Sequence, residues 1–326
     1  MYINRIFELS MVLDSEQFQE VFEPIQDIYW DENREEYFDQ SLEEKGILVI
    51  YRNSQYKKKI RLIVNPAIVE ENTKNIEKFI HKLEKRISGY FHSAYGLNDF
   101  TVSKMQLTSD IDVGNPESTL AYLKALHRVG KVKGFSPTEY DSFDDDISFC
   151  LEGNSNGIDF LVYDLRSSAI SQSENAEMKP KQFKSMIENT KGILRVEVRL
   201  TKAKAIRAYT DEYLASDQIA ERSGQCPDIF MDTFARIIPY GDFYKKGRAA
   251  EIIREEVKNS VMRRKMLHLL ALIPEKRSLL LAQKASNCRQ NDEVMMAFAK
   301  INLSPVTLSK RFDGKHLKNL YTYLEI

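Results

Sequence analysis

Two β-branched runs, residues 46–52 (GILVIYR) and 59–65 (KIRLIVN), flank the polar Asn53-Ser54-Gln55 and predict a hairpin. Residues 73–95 then place Ile76, Phe79, Ile80, Leu83, Ile87, Tyr90 and Phe91 at helical spacing, the pattern of a long amphipathic helix. Residues 100–113 read as a strand. Asn115-Pro116-Glu117 is a helix start with proline in the first turn, leading into Leu120, Leu123 and Leu126. Short strands follow at 147–151, 158–165 and 193–200. The first two are joined by Gly153-Asn154-Ser155-Asn156-Gly157, where Gly and Asn tolerate positive φ. The polar stretch 167–191, with Pro180, reads as an exposed loop that can hold a short helix. From Lys202 onward the pattern is almost wholly helical.

Strands mixed with helices that give way to helices alone predict an α+β protein. Its antiparallel sheet core is followed by an all-helical C-terminal domain, with the boundary between Leu214 and Asp228. The expected parts are an N-terminal segment 1–45 leading into the core, the core at 46–214 and a helical domain at 228–326. In the last part, residues 291–300 form a helix and 301–304 a turn. Ser304 then stands as N-cap with Pro305 at the first position of a short helix over 305–312. Helix, short turn, short helix is the outline of a helix-turn-helix, whose second helix would enter a major groove. Thr307, Ser309, Lys310 and Arg311 would then sit near base edges, with Lys315 and Lys318 on phosphates. The alternative is a plain helical bundle with solvated lysines.

Composition narrows the class. Charged residues make up 29% and hydrophobic ones 43%, which excludes collagen-like and low-complexity chains. No run of apolar residues is long enough for a membrane span, and no secretory leader is visible, so a cytoplasmic protein without a membrane partner is expected. Cys150, Cys226 and Cys288 lack any metal or redox spacing and read as reduced structural thiols. The 5 histidines form no ligand pair. Formal charge is only -1, but it is unevenly spread. Residues 1–45 hold 13 acidic residues against 3 basic ones, while residues 245–318 hold 17 basic against 7 acidic, a surplus of 10. The small sum therefore hides a basic tail that nucleic acid could use. An acidic head that masks this tail predicts tighter DNA binding once residues 1–45 are removed.

Four segments carry candidate chemistry. In Ser109-Asp110-Ile111-Asp112-Val113, strand alternation puts Asp110 and Asp112 on one face, where a divalent cation or an arginine would relieve their repulsion. Two solvated acids are the alternative. In Leu194-Arg195-Val196-Glu197-Val198-Arg199-Leu200 the three charged residues share a face. Facing a groove, Glu197 could ligate a metal while Arg195 and Arg199 fork onto phosphates; facing solvent, the segment is an ordinary strand. In the third, IDFLVYDL, Tyr163 and Leu161 point one way, Phe160 and Asp164 the other. In the fourth, Tyr209 and Tyr213 stand four apart on an expected helix carrying Lys202, Lys204 and Arg207, and core packing competes with a nucleophilic role.

In their order, GNSNGIDFLVYDL, GILRVEVRL and the basic helix resemble rolling-circle replication initiators of plasmids and filamentous phages, of the trans-acting Rep type. Members show a Gly-Ser turn, an apolar strand ending in Tyr-Asp-Lys or similar, and a later Arg-x-Glu-x-Arg-Leu strand. The likeness covers residues 100–213. It implies a nickase core with a divalent metal, Mg²⁺ or Mn²⁺, and a tyrosine that cleaves one strand through a phosphotyrosine intermediate. Glu197 matches the family's Glu, with Asp110 or Asp112 as a further carboxylate. Tyr209 is the preferred nucleophile, with Tyr213 and Tyr163 as further candidates. Three positions depart from the pattern: Lys104-Met105-Gln106 replaces Arg-x-Asp, Leu165 replaces the Lys after Tyr-Asp, and the expected tyrosine falls near Cys150. The expected function is a DNA-binding, endonuclease-type initiator of a mobile element, or a catalytically inactive DNA-binding regulator on the same core. Expected partners are DNA at an origin or operator and a helicase or other replication protein.

Overall fold

The computed structural model describes residues 3–25, 28–70, 75–138, 148–173, 180–287 and 291–324. Strands β1 (Ile3–Leu13), β2 (Ile28–Asp31), β3 (Glu36–Asp39), β4 (Ile47–Asn53), β5 (Lys58–Val64), β6 (Thr101–Asp112), β7 (Phe135–Pro137), β8 (Ser148–Gly153), β9 (Ile158–Asp164) and β10 (Ile193–Leu200) form one antiparallel sheet. Its order is β2-β3-β4-β5-β1-β6-β10-β9-β8-β7. The helices are α1 (Ser15–Phe22), α2 (Pro66–Val69), α3 (Ile76–Tyr90), α4 (Pro116–Leu126), α5 (Leu165–Ser173), α6 (Pro180–Asn189), α7 (Ala203–Arg207), α8 (Ala215–Ile237), α9 (Lys246–Glu256), α10 (Ser260–Lys276), α11 (Leu279–Ala285) and α12 (Asn291–Lys300). A two-stranded ladder, β11 (Phe243–Tyr244) with β12 (His316–Leu317), lies among the last of them.

Alternation gives the sheet an apolar inner face and a polar outer one. Phe7, Leu9 and Met11 of β1, Met105, Leu107 and Ile111 of β6, and Leu194, Val196, Val198 and Leu200 of β10 all enter the main core. Helices α3, α4 and α8 cover this inner face. Phe79 of α3 meets Phe7 edge-on at 5.9 Å between ring centroids, and α8 sends Phe230 and Phe234 beneath the sheet. On the outer face, α5 packs against β9 and β10, and its Leu165 touches a second small cluster of Cys150, Leu161 and Tyr163.

The antiparallel sheet and the mixed α+β class agree with the sequence pattern. The expected division of the chain does not. The acidic segment 1–45 supplies β1, a central strand bonded to both β5 and β6. Deleting it would open the sheet, so truncation cannot test masking. Its inward residues Phe7, Leu9 and Met11 alternate cleanly, but the segment's charge obscures them. The boundary expected between Leu214 and Asp228 falls inside α8, which runs through it. The last hundred residues share the core of the sheet. Tyr122 of α4 packs on Phe243 at 5.6 Å and donates to the Lys318 carbonyl at 2.7 Å, and Tyr321 donates to the Ile238 carbonyl at 2.8 Å. At Gly130, φ is +56°, and any side chain would collide with the Arg277 carbonyl, so that close approach requires glycine.

Within 167–191 the described residues form helix up to Ser173 and again over Pro180–Asn189 in α5 and α6, more helix than the expected loop with a short helix, before a turn at Thr190 and Lys191. Residues 305–312 form no helix. They run extended beside 243–245, with Leu308 N–H donating to the Tyr244 carbonyl at 2.9 Å and bridges Asp242–Leu303 and Lys245–Leu308. Ser304 does cap a turn, its hydroxyl accepting from Val306 N–H at 3.2 Å, but Pro305, Val306, Thr307 and Leu308 are all buried in succession. A continuous apolar run suits an extended segment inside the core and offers no helical face. The helix-turn-helix is therefore absent. Cys150 and Cys226 are buried and take part in no disulfide among the described residues, and Cys288 lies outside the described residues. Among the described residues no helix is long and apolar enough to cross a membrane.

Candidate functional site

The outer face of β6, β10 and β9 collects the chemistry-bearing residues. Antiparallel register sets Arg195 opposite Asp110 on one side and Tyr163 on the other, Glu197 opposite Thr108, and Ile193 opposite Asp112. Because side chains on paired residues share a face, Asp110, Asp112, Arg195, Glu197, Arg199 and Tyr163 all project outward together. Tight turns fix the ends of these strands. Gly157 precedes β9 with φ +69°, and its carbonyl accepts from Thr201 N–H at 2.8 Å just beyond β10.

The contacts are specific. Tyr163 donates its hydroxyl to Glu197 Oε1 at 2.6 Å. Arg199 donates Nε and Nη2 to Glu197 Oε2 at 3.0 and 2.7 Å. Glu197 is only 1% exposed. Arg195 grips Asp110 with two parallel bonds, Nε to Oδ1 and Nη2 to Oδ2, each 2.6 Å. Burial pulls the Arg195 guanidinium downward, but the bonds to Asp110 and the neighbouring Tyr163 outweigh it and hold the proton more tightly than water would. Asp112 Oδ1 instead accepts from Gly114 N–H at 2.8 Å, closing the turn after β6. Thr108, directly across from Glu197, is buried with an unpartnered hydroxyl.

This arrangement does not fit the expected divalent metal. Asp110 is neutralised by an arginine fork, both oxygens of Glu197 are engaged, and Asp112 is spent on a turn. Among the described residues no group of three or more His, Cys, Asp or Glu side chains could hold a metal ion. The shared face was legible in the sequence; the convergence of the three carboxylates on one cation is not what the side chains do.

The tyrosines separate as well. α7 ends at Arg207, because Thr210 turns the chain: its hydroxyl bonds Glu221 of α8 and accepts from Glu212 N–H at 3.1 Å. Tyr209 and Tyr213 therefore share no helical face. Tyr209 packs half-buried against the main core on the inner side of the sheet, where burial and Asp232 raise its phenol while Arg236 opposes them. Tyr213 is 90% exposed. Of the three tyrosines considered, Tyr163 alone is bonded to Glu197.

No protein-family model and no curated protein matches the chain.

The basic candidates divide in the same way. Arg195 and Arg199 are held in ion pairs, whereas Lys202, Lys204 and Arg207 are exposed along α7. Thr307 is 1% exposed and its carbonyl accepts from Arg128, which removes it from any nucleic-acid surface. Ser309 is half-buried and accepts from Arg311 N–H at 3.3 Å, and Lys310, Arg311, Lys315 and Lys318 are exposed.

Two features were not foreseen. On the outer face Glu8 of β1 accepts from Arg61 Nη1 at 3.0 Å and from Ser103 at 2.9 Å, and Lys104 stands 3.2 Å away. Arg61 also binds Glu36. A depression of about 110 Å³ between Glu8, Lys104, Gln106, Arg199 and Thr201 links this network to the Glu197 cluster. Period-two alternation in residues 6–11 carried the signal for Glu8. The second feature is a ring pair, Tyr244 stacked on His316, for which two-residue strands left no readable pattern.

Proposed function

We propose that the chain is a DNA-binding regulator of a mobile element, built on a replication-initiator-like core whose carboxylates now serve structure. The observation that carries this reading is the state of Glu197. The residue that matches the initiator motif is buried with one oxygen on Tyr163 and the other on Arg199, while Asp110 is forked by Arg195. The DNA part rests on the motif order in residues 100–213 and on the exposed basic residues of α7 and of the C-terminal layer.

A nicking reading is second and is favoured by one contact, the 2.6 Å bond from the Tyr163 hydroxyl to Glu197 Oε1. A carboxylate so placed can take the phenol proton as the phenol oxygen bonds to phosphorus and the P–O bond to the leaving oxygen breaks, that oxygen taking a proton from water to become a hydroxyl. Incubation of the protein with supercoiled DNA of its own replicon and Mn²⁺ separates the two. The regulator reading expects retarded DNA with a steep loss of binding in salt and no protein-linked nick. A covalent adduct abolished by Tyr163→Phe would establish nicking. Failure to retard any DNA would refute both.

A further inference from the structure

The C-terminal layer presents a second surface that the sheet site does not use. In the β11–β12 ladder Tyr244 lies directly opposite His316, and Phe243 opposite Leu317. Alternation then sorts the four side chains: Phe243 and Leu317 are 0% and 6% exposed within the core, so the other pair must project outward. The outward rings stack with centroids 5.1 Å apart and planes inclined by 14°. Tyr244 is half-buried beneath, and His316 is exposed. A two-residue ladder held from below by Phe243 and Leu317 thus carries a flat aromatic platform to the surface.

Cations ring that platform. Lys245 and Lys246 follow Tyr244, Lys315 precedes His316, and Lys318 lies two residues beyond it. The bridge between Lys245 and Leu308 puts Lys310 and Arg311 two and three residues along the chain from a point of contact with this ladder. All but the half-buried Lys245 are exposed, and none of the six takes part in an ion pair among the described residues. Arg248, which also lies near Tyr244, differs in being held by Glu251 and Glu255 at 3.1 and 3.4 Å. The nearby acids are largely engaged: Asp242 Oδ1 accepts from Asn319 N–H at 2.8 Å, Glu251 and Glu255 hold Arg248, and Glu275 pairs with Lys276 and also feels Lys246, while Asp313 is exposed.

An exposed ring face surrounded by unpaired lysines and arginine matches single-stranded nucleic acid: the ring stacks an unpaired base and the cations follow the phosphates on either side. A duplex would suit it less, since its bases are already stacked on one another. We infer that the Tyr244–His316 platform, with Lys310, Arg311 and Lys315, binds single-stranded DNA by stacking one base on His316. This rests on the DNA-binding reading above and adds to it the form of DNA taken and the residues that take it.

The test is fluorescence anisotropy on the full chain with labelled oligothymidine of about 15 nucleotides and with a hairpin duplex of matched charge, from about 50 to about 200 mM salt. His316→Ala is at the surface, and its thermal midpoint checks folding. It should weaken oligothymidine binding on the order of ten-fold, as expected for loss of one base stack, while duplex binding changes less than about two-fold. His316→Trp should restore or tighten it, with the new indole quenched by the bound strand. Lys310→Gln and Lys315→Gln should weaken both ligands and flatten the salt dependence by about one ion each. Unchanged oligothymidine affinity in His316→Ala, or equal loss for both ligands, overturns the platform while leaving DNA binding in place. No binding of either ligand at low salt overturns the platform and the functional reading together.

Discussion

Removing the hydroxyl of Tyr163 tests whether the Glu197 cluster is structural cement. Tyr163→Phe keeps the ring, which is 5% exposed against Cys150 and Leu161, and deletes the hydroxyl that donates to Glu197 Oε1 at 2.6 Å and is also bonded by Arg195. The oxygen left behind belongs to a carboxylate 1% exposed, so water does not readily replace the lost bond. A hydrogen bond to a charged group contributes about 1.5–3 kcal/mol, and that is the expected destabilisation. Glu197→Gln should cost about 2–4 kcal/mol, below the loss for a fully buried pair, because the Arg199 side chain is 24% exposed and can turn its guanidinium toward solvent. The double variant should be less unstable than the sum of the two by about 1–2 kcal/mol, since the same bond is counted in both. Urea unfolding followed by far-ultraviolet circular dichroism reads all three free energies. In the regulator reading DNA affinity stays within about two-fold throughout, a difference of less than about 0.5 kcal/mol. A loss under about 0.5 kcal/mol for Tyr163→Phe, or strict additivity, would refute the structural role argued from the short bond.

Three further outcomes follow from other parts of the fold. Arg222 of α8 is 1% exposed with Nε and Nη2 unpartnered, and burial pushes its guanidinium down to about 10 although Glu221 opposes the fall. Arg222→Met should therefore stabilise the protein by up to about 3 kcal/mol in urea titrations. The native guanidinium releases its proton more readily than the unfolded one, so the penalty is constant below pH 10 and the gap between variant and wild type should close above it; a destabilised variant would be the contrary result. Glu8 is pushed upward by burial, but Arg61, Lys104 and the Ser103 bond prevail and hold it below the ordinary 4.5. Its contribution is thus complete above that value and lost as pH falls through the lower native one, so the stabilities of wild type and Glu8→Gln should differ at pH 6 and draw together as pH falls below 4.5. A constant difference across that range would be contrary. Finally, residues 1–214 expressed alone should lack a cooperative thermal transition by calorimetry, because Tyr122, Val129 and Phe160 lose the C-terminal layer that buries them; a sharp transition would support separate domains.

Local periodicity told which face a side chain takes and left open which neighbour it meets there. Arg195, Glu197 and Arg199 share a face because three alternate residues of one strand must. That Arg195 grips Asp110 depends on the β6–β10 register, which joins residues 85 apart in the chain. For carboxylates this difference decides the chemistry, since the same outward acids form a cation site when they face one another and an ion pair when an arginine stands between. The failures elsewhere have the same source. Ser304-Pro305 is a sound helix start, yet pairing with residues 243–245 drew the following apolar run into the core and overrode it. Tyr209 and Tyr213 have helical spacing, yet the Thr210 bond to Glu221 ended the helix before either. Residues 1–45 read as an acidic head because charge was counted along the chain, whereas Glu8 and Glu36 lie buried on Arg61 in the middle of the sheet. The linear excess of 10 negative charges therefore overstates the charge this segment shows at the surface, although Asp14, Glu16, Glu20, Glu43 and Glu44 remain exposed. The basic surplus shrinks in the same way where Glu251 and Glu255 hold Arg248 and Glu275 holds Lys276, whereas Lys310, Arg311 and Lys315 form no ion pair among the described residues.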